Sequence, residues 1–184
     1  MEETTQHNIT QQTNETKTPF QFAFRWGSII GFITLLYYLI GFYTKFERFV
    51  YFADIYFLIE IALIGVMITK YKRENNVLTL KFSKMIKICF YASIIIAAFY
   101  ALYFALKIIK LDPLFFQTYM SEVFKLMQES FQVDYSANMT PQTYSVFKAS
   151  FVFATYLSFV FNTMFYSLLL CAFISFNQKL YIRK

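Results

Sequence analysis

Histidine, cysteine and loop glycine are scarce in this sequence, which removes the usual materials of catalytic and metal sites. The one histidine, His7, lies in a polar tail, and this argues against a histidine-based metal site or a catalytic triad. All four glycines lie in apolar segments and none in a loop, so the glycine-rich loop that cradles phosphate groups is missing. The sequence therefore predicts no catalytic residue, no metal and no cofactor, and favours a protein that is not an enzyme.

The two cysteines, Cys89 and Cys171, lie within apolar segments and are predicted at similar depths near the cytoplasmic ends of two helices. Cytoplasmic thiols are kept reduced, which argues against a disulfide between them. We interpret them as small packing residues.

Charged residues are also few, at 15% of the chain, whereas 58% of the residues are hydrophobic. The apolar residues form four long runs, each close to the ~20 residues that a transmembrane helix needs. The sequence predicts an all-α integral membrane bundle of four transmembrane helices, with spans at about 24–44, 49–69, 86–106 and 149–175. Residues 19–184 form this domain, and the polar tail 1–18 is predicted to be disordered.

An amphipathic extracytoplasmic helical segment, about 113–148, is predicted between spans three and four. Asp112 and Pro113 are typical of a helix start, with aspartate as the N-cap and proline at the first position. The segment either lies on the membrane surface or covers the end of the bundle. Thr140 and Pro141 indicate a second start, whose helix is expected to continue into span four.

Most of the 17 Lys and Arg residues lie in the tails and in the loop between spans two and three. Because positive charge collects on the cytoplasmic side, both termini are predicted to be cytoplasmic, in the cytoplasmic (inner) membrane. The net charge of +6 indicates contact with anionic lipid headgroups of the bilayer and no nucleic acid.

Two sets of small residues predict where helices pack. Gly27 and Gly31 form a small-xxx-small pair in span one, which allows a neighbouring helix to approach closely. A stripe of small residues along span three is expected to meet a neighbouring helix, with the glycine face of span one as a candidate. Its members are Cys89, Ser93, Ala97, Ala101 and Ala105.

Span two carries Asp54 and Glu60, the only acidic residues within the four spans. Glu60 falls near the middle of the membrane, where an ionised carboxylate costs at least ~3 kcal/mol, so it must be protonated or paired. Asn162 and Thr34 are predicted at the same depth, and our hypothesis is a Glu60–Asn162 hydrogen bond with Thr34 as a third member. Asp54 is expected to reach lipid headgroups or Lys107.

Several motifs occur in an order that resembles one family of small four-span bacterial membrane proteins, common in Bacteroidetes and grouped as a domain of unknown function. They are Arg25-Trp26-Gly27 with Gly31, Leu80 to Lys87, Leu111 to Phe115, and Thr140-Pro141. The resemblance implies a location in the cytoplasmic membrane. It also implies a polyprenyl-phosphate glycosyltransferase as a partner.

Two functions remain open from the sequence. The first is a non-catalytic accessory or scaffold subunit of another membrane protein, or a homo-oligomer, for which the small-residue stripe and the amphipathic helix are the evidence. The second is a small carrier for a lipid or solute that uses Glu60 as a protonatable site. Glu60 has two corresponding interpretations: a polar clasp that fixes helix register, or a group in a transport pathway.

Overall fold

The computed structural model describes residues 18–131 and 140–182, and five α-helices account for most of them. Four of these helices are long and apolar enough to cross a membrane. The prediction of an all-α bundle with four spans is therefore confirmed, and the chain is a multi-pass membrane protein. The helices are α1 (Pro19–Tyr43), α2 (Phe52–Glu74), α3 (Phe82–Leu106), α4 (Pro113–Phe131) and α5 (Pro141–Ile182).

The helix starts follow local capping chemistry. Thr18 caps α1 through its side chain, which accepts a hydrogen bond from the Gln21 backbone amide, and Pro19 occupies the first helical position. The predicted span began five residues later because hydropathy marks the membrane core and not the cap. The predicted disordered tail falls almost entirely on residues 1–17, which lie outside the described residues.

A short connection joins α1 to α2. It contains a turn of 3₁₀ helix at Phe46–Arg48, preceded by Lys45 in the left-handed conformation with φ 60°. The second span was predicted from residue 49, but α2 begins only at Phe52 because this turn comes first. Later in the chain, the C-terminal end of α3 continues into one π-helical turn, Lys107–Leu111.

The third span lies at the centre of the bundle, between α1 and α5. A Cβ atom built on Gly27 of α1 would lie 3.2 Å from the Ala92 Cα of α3, so the two backbones are in close contact. On another side of α3, the Tyr100 ring contacts the Phe159 ring of α5, with centroids 4.1 Å apart and ring planes tilted by 30°. Helix α2 packs at the side and meets both α1 and α5.

The amphipathic helix α4 packs against one end of the bundle, in agreement with one of the two positions that the sequence left open. Asp112 accepts a hydrogen bond from the Phe115 amide at 3.1 Å, as expected of an N-cap. The apolar side of α4 places Phe116 and Met120 against Ile108 of the π turn, and both are buried. We call this the Glu47 end of the bundle, after the residue that precedes α2 there.

The fourth span begins outside the apolar region. Thr140 caps its start by accepting a hydrogen bond from the Thr143 amide at 3.2 Å, and one helix of 42 residues then runs from Pro141 to Ile182. The expected continuation of this helix into the fourth span is present. The chain between α4 and Thr140 lies outside the described residues.

Candidate functional site

A buried polar contact joins the second and fourth spans at mid-depth. Glu60 of α2 is 1% exposed, and its Oε1 accepts a hydrogen bond of 2.8 Å from the Thr163 hydroxyl of α5. Its second oxygen, Oε2, is buried without a partner in the described part of the chain. Thr163 is fully buried. This geometry matches a clasp between two helices.

The predicted Glu60–Asn162 hydrogen bond is wrong. The Asn162 amide donates to the Ser158 carbonyl of its own helix at 3.0 Å, and its side chain is exposed. Consecutive residues on a helix differ by only ~1.5 Å in depth but by about 100° in direction. Hydropathy therefore gave the correct depth, whereas the partner is the adjacent residue, Thr163.

Thr34, predicted as a third member, belongs to a separate polar contact. Its hydroxyl donates to the Ile30 carbonyl at 2.9 Å and is hydrogen-bonded to the hydroxyl of Tyr56. Tyr56 lies one helical turn before Glu60 and is fully buried. The Thr34–Tyr56 pair joins α1 to α2, much as Glu60 and Thr163 join α2 to α5. The sequence alone does not distinguish Tyr56 from the many other aromatic residues.

A cavity of about 400 Å³ opens beside these contacts, between α2 and α5. The two helices touch at Phe57 and Phe159, whose ring centroids are 5.9 Å apart. Six of the lining residues carry a hydroxyl or an amide: Tyr38, Tyr100, Tyr119, Thr155, Ser158 and Asn162. The others are Ala53, Phe57, Phe151, Ala154 and Phe159. This lining contains no charged side chain from the described residues.

An ion pair lies at the Glu47 end. The Lys107 ammonium group donates to both carboxylate oxygens of Glu47, at 3.0 and 2.9 Å, and the Tyr103 hydroxyl donates to the same carboxylate at 2.8 Å. The expected pairing of Lys107 with Asp54 is therefore replaced by a pairing with Glu47. Asp54 itself is exposed in the first turn of α2, which leaves headgroup contact as its predicted role.

We expect Lys107→Met to lower the free energy of unfolding by about 1–2 kcal/mol. The Lys107 and Glu47 side chains are only 11% and 22% exposed, so the remaining carboxylate would be poorly solvated. Lys110→Met is the matched control because Lys110 is exposed in the same π turn. Denaturation of both variants in detergent measures the difference, and equal loss in the two would contradict a stabilising pair.

Most of the small residues that were predicted to pack make contacts between helices of the same chain. Gly27 and Gly31 do meet α3, but at Ala92, Ile95 and Phe99 instead of the small-residue stripe. The first residue of the stripe, Cys89, faces α5 instead of α1, and its sulfur lies 3.7 Å from that of Cys171. Ser93 and Ala97 are fully buried, whereas Ala101 and Ala105 are partly exposed.

An open cleft of about 620 Å³ lies at the opposite end of the bundle, where α2 ends. Lys72 and Arg73 make it basic, and Leu78 beside them is 93% exposed. Cations in the last turn of α2 are favoured there by the helix dipole, so their placement has a structural cause as well.

Comparison of the chain with protein-family models, with curated proteins and with solved structures found no match. The family resemblance seen in the sequence therefore stays an expectation. Within residues 18–131 and 140–182, no group of three or more His, Cys, Asp or Glu side chains is arranged to hold a metal ion.

Proposed function

We propose that this protein binds one uncharged lipid, of the diacylglycerol class, in the cavity between its second and fourth spans, and that it performs no catalysis. The observation that supports this most directly is the lining of the cavity. It combines aromatic and small apolar walls with five hydroxyl groups and one amide, and no charge among the described residues. Ligand sites in proteins have volumes of this order and the same mixture of apolar walls and few polar groups.

The length of the cavity suits a lipid in one leaflet. Its lining on α5 extends from Phe151 to Asn162, which is about 17 Å along a helix. Half of a bilayer's hydrocarbon core is about 15 Å thick. Under the predicted orientation the cavity faces the outer leaflet of the cytoplasmic membrane. The glycerol region or one chain of a single lipid would fill it from the interface to mid-depth, with the rest of the lipid in the bilayer.

The polar groups of the cavity favour an uncharged ligand with hydroxyl or ester groups. Thr155 and Ser158 place side-chain hydroxyls in the lining of the cavity, where Thr155 is half-buried and Ser158 is exposed. Such groups in hydrocarbon are costly unless a partner is supplied. A hydroxyl or ester can enter to the depth of Asn162, whereas a phosphate could not shed its hydration there without a cation beside it.

The test is purification in mild detergent, followed by mass spectrometry of the intact complex and of its extracted lipid. We expect one uncharged lipid per chain, and cross-linking in nanodiscs by a photoactivatable diacylglycerol but not by a photoactivatable phosphatidylglycerol. Ser158→Trp should reduce both signals at least tenfold, since the indole would fill the cavity. Leu157→Trp is the control because Leu157 is lipid-exposed and does not line it.

Equal labelling of the two tryptophan variants, or preference for the anionic probe, would overturn the proposal. The proposed binding does not use Glu60, which is absent from the lining of the cavity. A carrier coupled through Glu60, the alternative from the sequence, therefore needs a rearrangement that exposes this carboxyl group.

An accessory subunit is the second candidate function. The observation that favours it is the open basic cleft, where a 93% exposed Leu78 stands beside Lys72 and Arg73. Of the two features that favoured a partner from sequence, Cys89, Ser93 and Ala97 of the small-residue stripe and Phe116 and Met120 of α4 are buried within the chain. A second protein in stoichiometric amount after the same purification, such as the glycosyltransferase that the resemblance implies, would support this candidate. Homo-oligomers would appear in the mass of the intact complex.

A further inference from the structure

Two buried thiols lie side by side between the central helix and the last one. The sulfur atoms of Cys89 on α3 and Cys171 on α5 are 3.7 Å apart, and the residues are 3% and 0% exposed. They are the only cysteines of the chain and stand 82 positions apart in sequence. Both are free thiols in this structure.

The surroundings of the pair allow the two sulfur atoms to approach. A disulfide has a sulfur–sulfur distance of about 2.05 Å, so closure needs a movement of less than ~2 Å. A small cavity adjoins both side chains and is lined also by Ser167. The two helices are held together further along by the Tyr100–Phe159 contact, which keeps the cysteines in register.

Access to the pair is from the lipid and not from water. The residues that separate the small cavity from the outside include Phe90 and Leu168, which are 40% and 38% exposed on membrane-spanning helices. Structural thiols buried in apolar surroundings are inert, and reagents dissolved in water do not reach this pair because its exposure is almost zero. The reducing cytoplasm, which argued against a disulfide from the sequence, therefore does not decide the state of this pair. A hydrophobic oxidant dissolved in the bilayer would approach the pair past Phe90 and Leu168.

We propose that Cys89 and Cys171 form a reversible dithiol–disulfide pair that a lipid-soluble quinone oxidises. Two S–H bonds break and one S–S bond forms. The two electrons and two protons pass to the quinone, which leaves as the quinol. The product joins α3 to α5 covalently across a long loop of chain, and this restricts the unfolded state most when the loop is long. The stability of the bundle then responds to the redox state of the quinone pool.

The experiment uses the full chain, reduced, in phosphatidylcholine nanodiscs, with a short-chain ubiquinone as the probe. After denaturation, thiols are counted by maleimide addition and mass spectrometry. We expect two adducts before oxidation and none afterwards, an intact mass lower by two hydrogen atoms, and reversal by dithiothreitol. The apparent Tm should rise by about 5 °C or more on oxidation. Oxidised glutathione in the water phase should act at least tenfold more slowly.

Cys89→Ser and Cys171→Ser are the matched controls. Each retains a single thiol, which should stay reactive to maleimide after quinone treatment, with no rise in Tm. Size-exclusion elution of each variant at the wild-type position shows that the bundle is folded. Three results would overturn the proposal: two maleimide adducts after quinone treatment, a mass increase from quinone addition to sulfur, or disulfide-linked dimers in place of the intrachain bond.

Discussion

Glu60→Ala is expected to lower the free energy of unfolding by about 2–4 kcal/mol. The substitution removes the acceptor of the 2.8 Å hydrogen bond and leaves the fully buried Thr163 hydroxyl without this partner. A buried polar group without a partner costs about 1–3 kcal/mol, and the space left by the side chain adds a cavity cost. Graded SDS denaturation of the protein in dodecyl maltoside measures the change.

Neighbouring variants distinguish the clasp from a general effect of burial. Thr163→Val keeps the shape and should cost about 1–3 kcal/mol, whereas Asn162→Ala, one residue earlier, should cost less than about 0.5 kcal/mol. Glu60→Gln keeps an oxygen that accepts from Thr163 and should stay within about 1 kcal/mol of the wild type.

The double variant Glu60→Ala/Thr163→Val tests whether the two residues act as a pair. Its loss of stability should be smaller than the sum of the single losses, because the contact can be lost only once. A larger effect of Asn162→Ala than of Thr163→Val would restore the partner predicted from sequence and contradict the observed geometry. Additive losses would show that the two side chains do not interact.

Gly31→Ala is expected to destabilise the bundle by about 1–3 kcal/mol, the usual cost of overpacking. A Cβ atom at this position would overlap the Phe99 ring of α3, lying 2.9 Å from its Cγ atom. The Cγ atom is the ring atom nearest the Phe99 backbone, so a small shift of the ring cannot relieve the overlap. Either the two helices must separate or Phe99 must change rotamer. The same SDS titration measures the loss.

Gly65→Ala is the control, because a Cβ atom there would meet only Leu170, at an ordinary contact distance of 3.9 Å. Alanine is the better helix former, so this variant should be neutral or more stable by up to about 1 kcal/mol. Similar effects of the two substitutions would show that glycine at position 31 is not required by the contact with Phe99.

The sequence by itself determined the membrane character and the number of spans. Four apolar runs must become helices in lipid because every backbone group has to be hydrogen-bonded within its own segment. Helix starts at Thr18, Asp112 and Thr140 depend on local capping. Asp112 and Thr140 were recognised in advance because a proline follows each, whereas Thr18 was assigned to the tail although Pro19 follows it.

The sequence also predicts how deep each residue lies in the membrane, because an α-helix rises by a constant distance per residue. Glu60 and the polar residues of α5 were placed at one level, and Cys89 was placed level with Cys171, which it contacts.

Only the tertiary structure decided how each helix is rotated about its own axis, and therefore which side chains face a neighbouring helix. A rotation of about 100° separates Asn162 from Thr163 and also determines which face of α3 meets the glycines of α1. Hydropathy carries little information on this rotation, because a helix surrounded by lipid can be apolar on every side. The pairing of Lys107 with Glu47 and the cavity between α2 and α5 depend on the same rotations. Those contacts are non-local and arise from the packing of all four spans together.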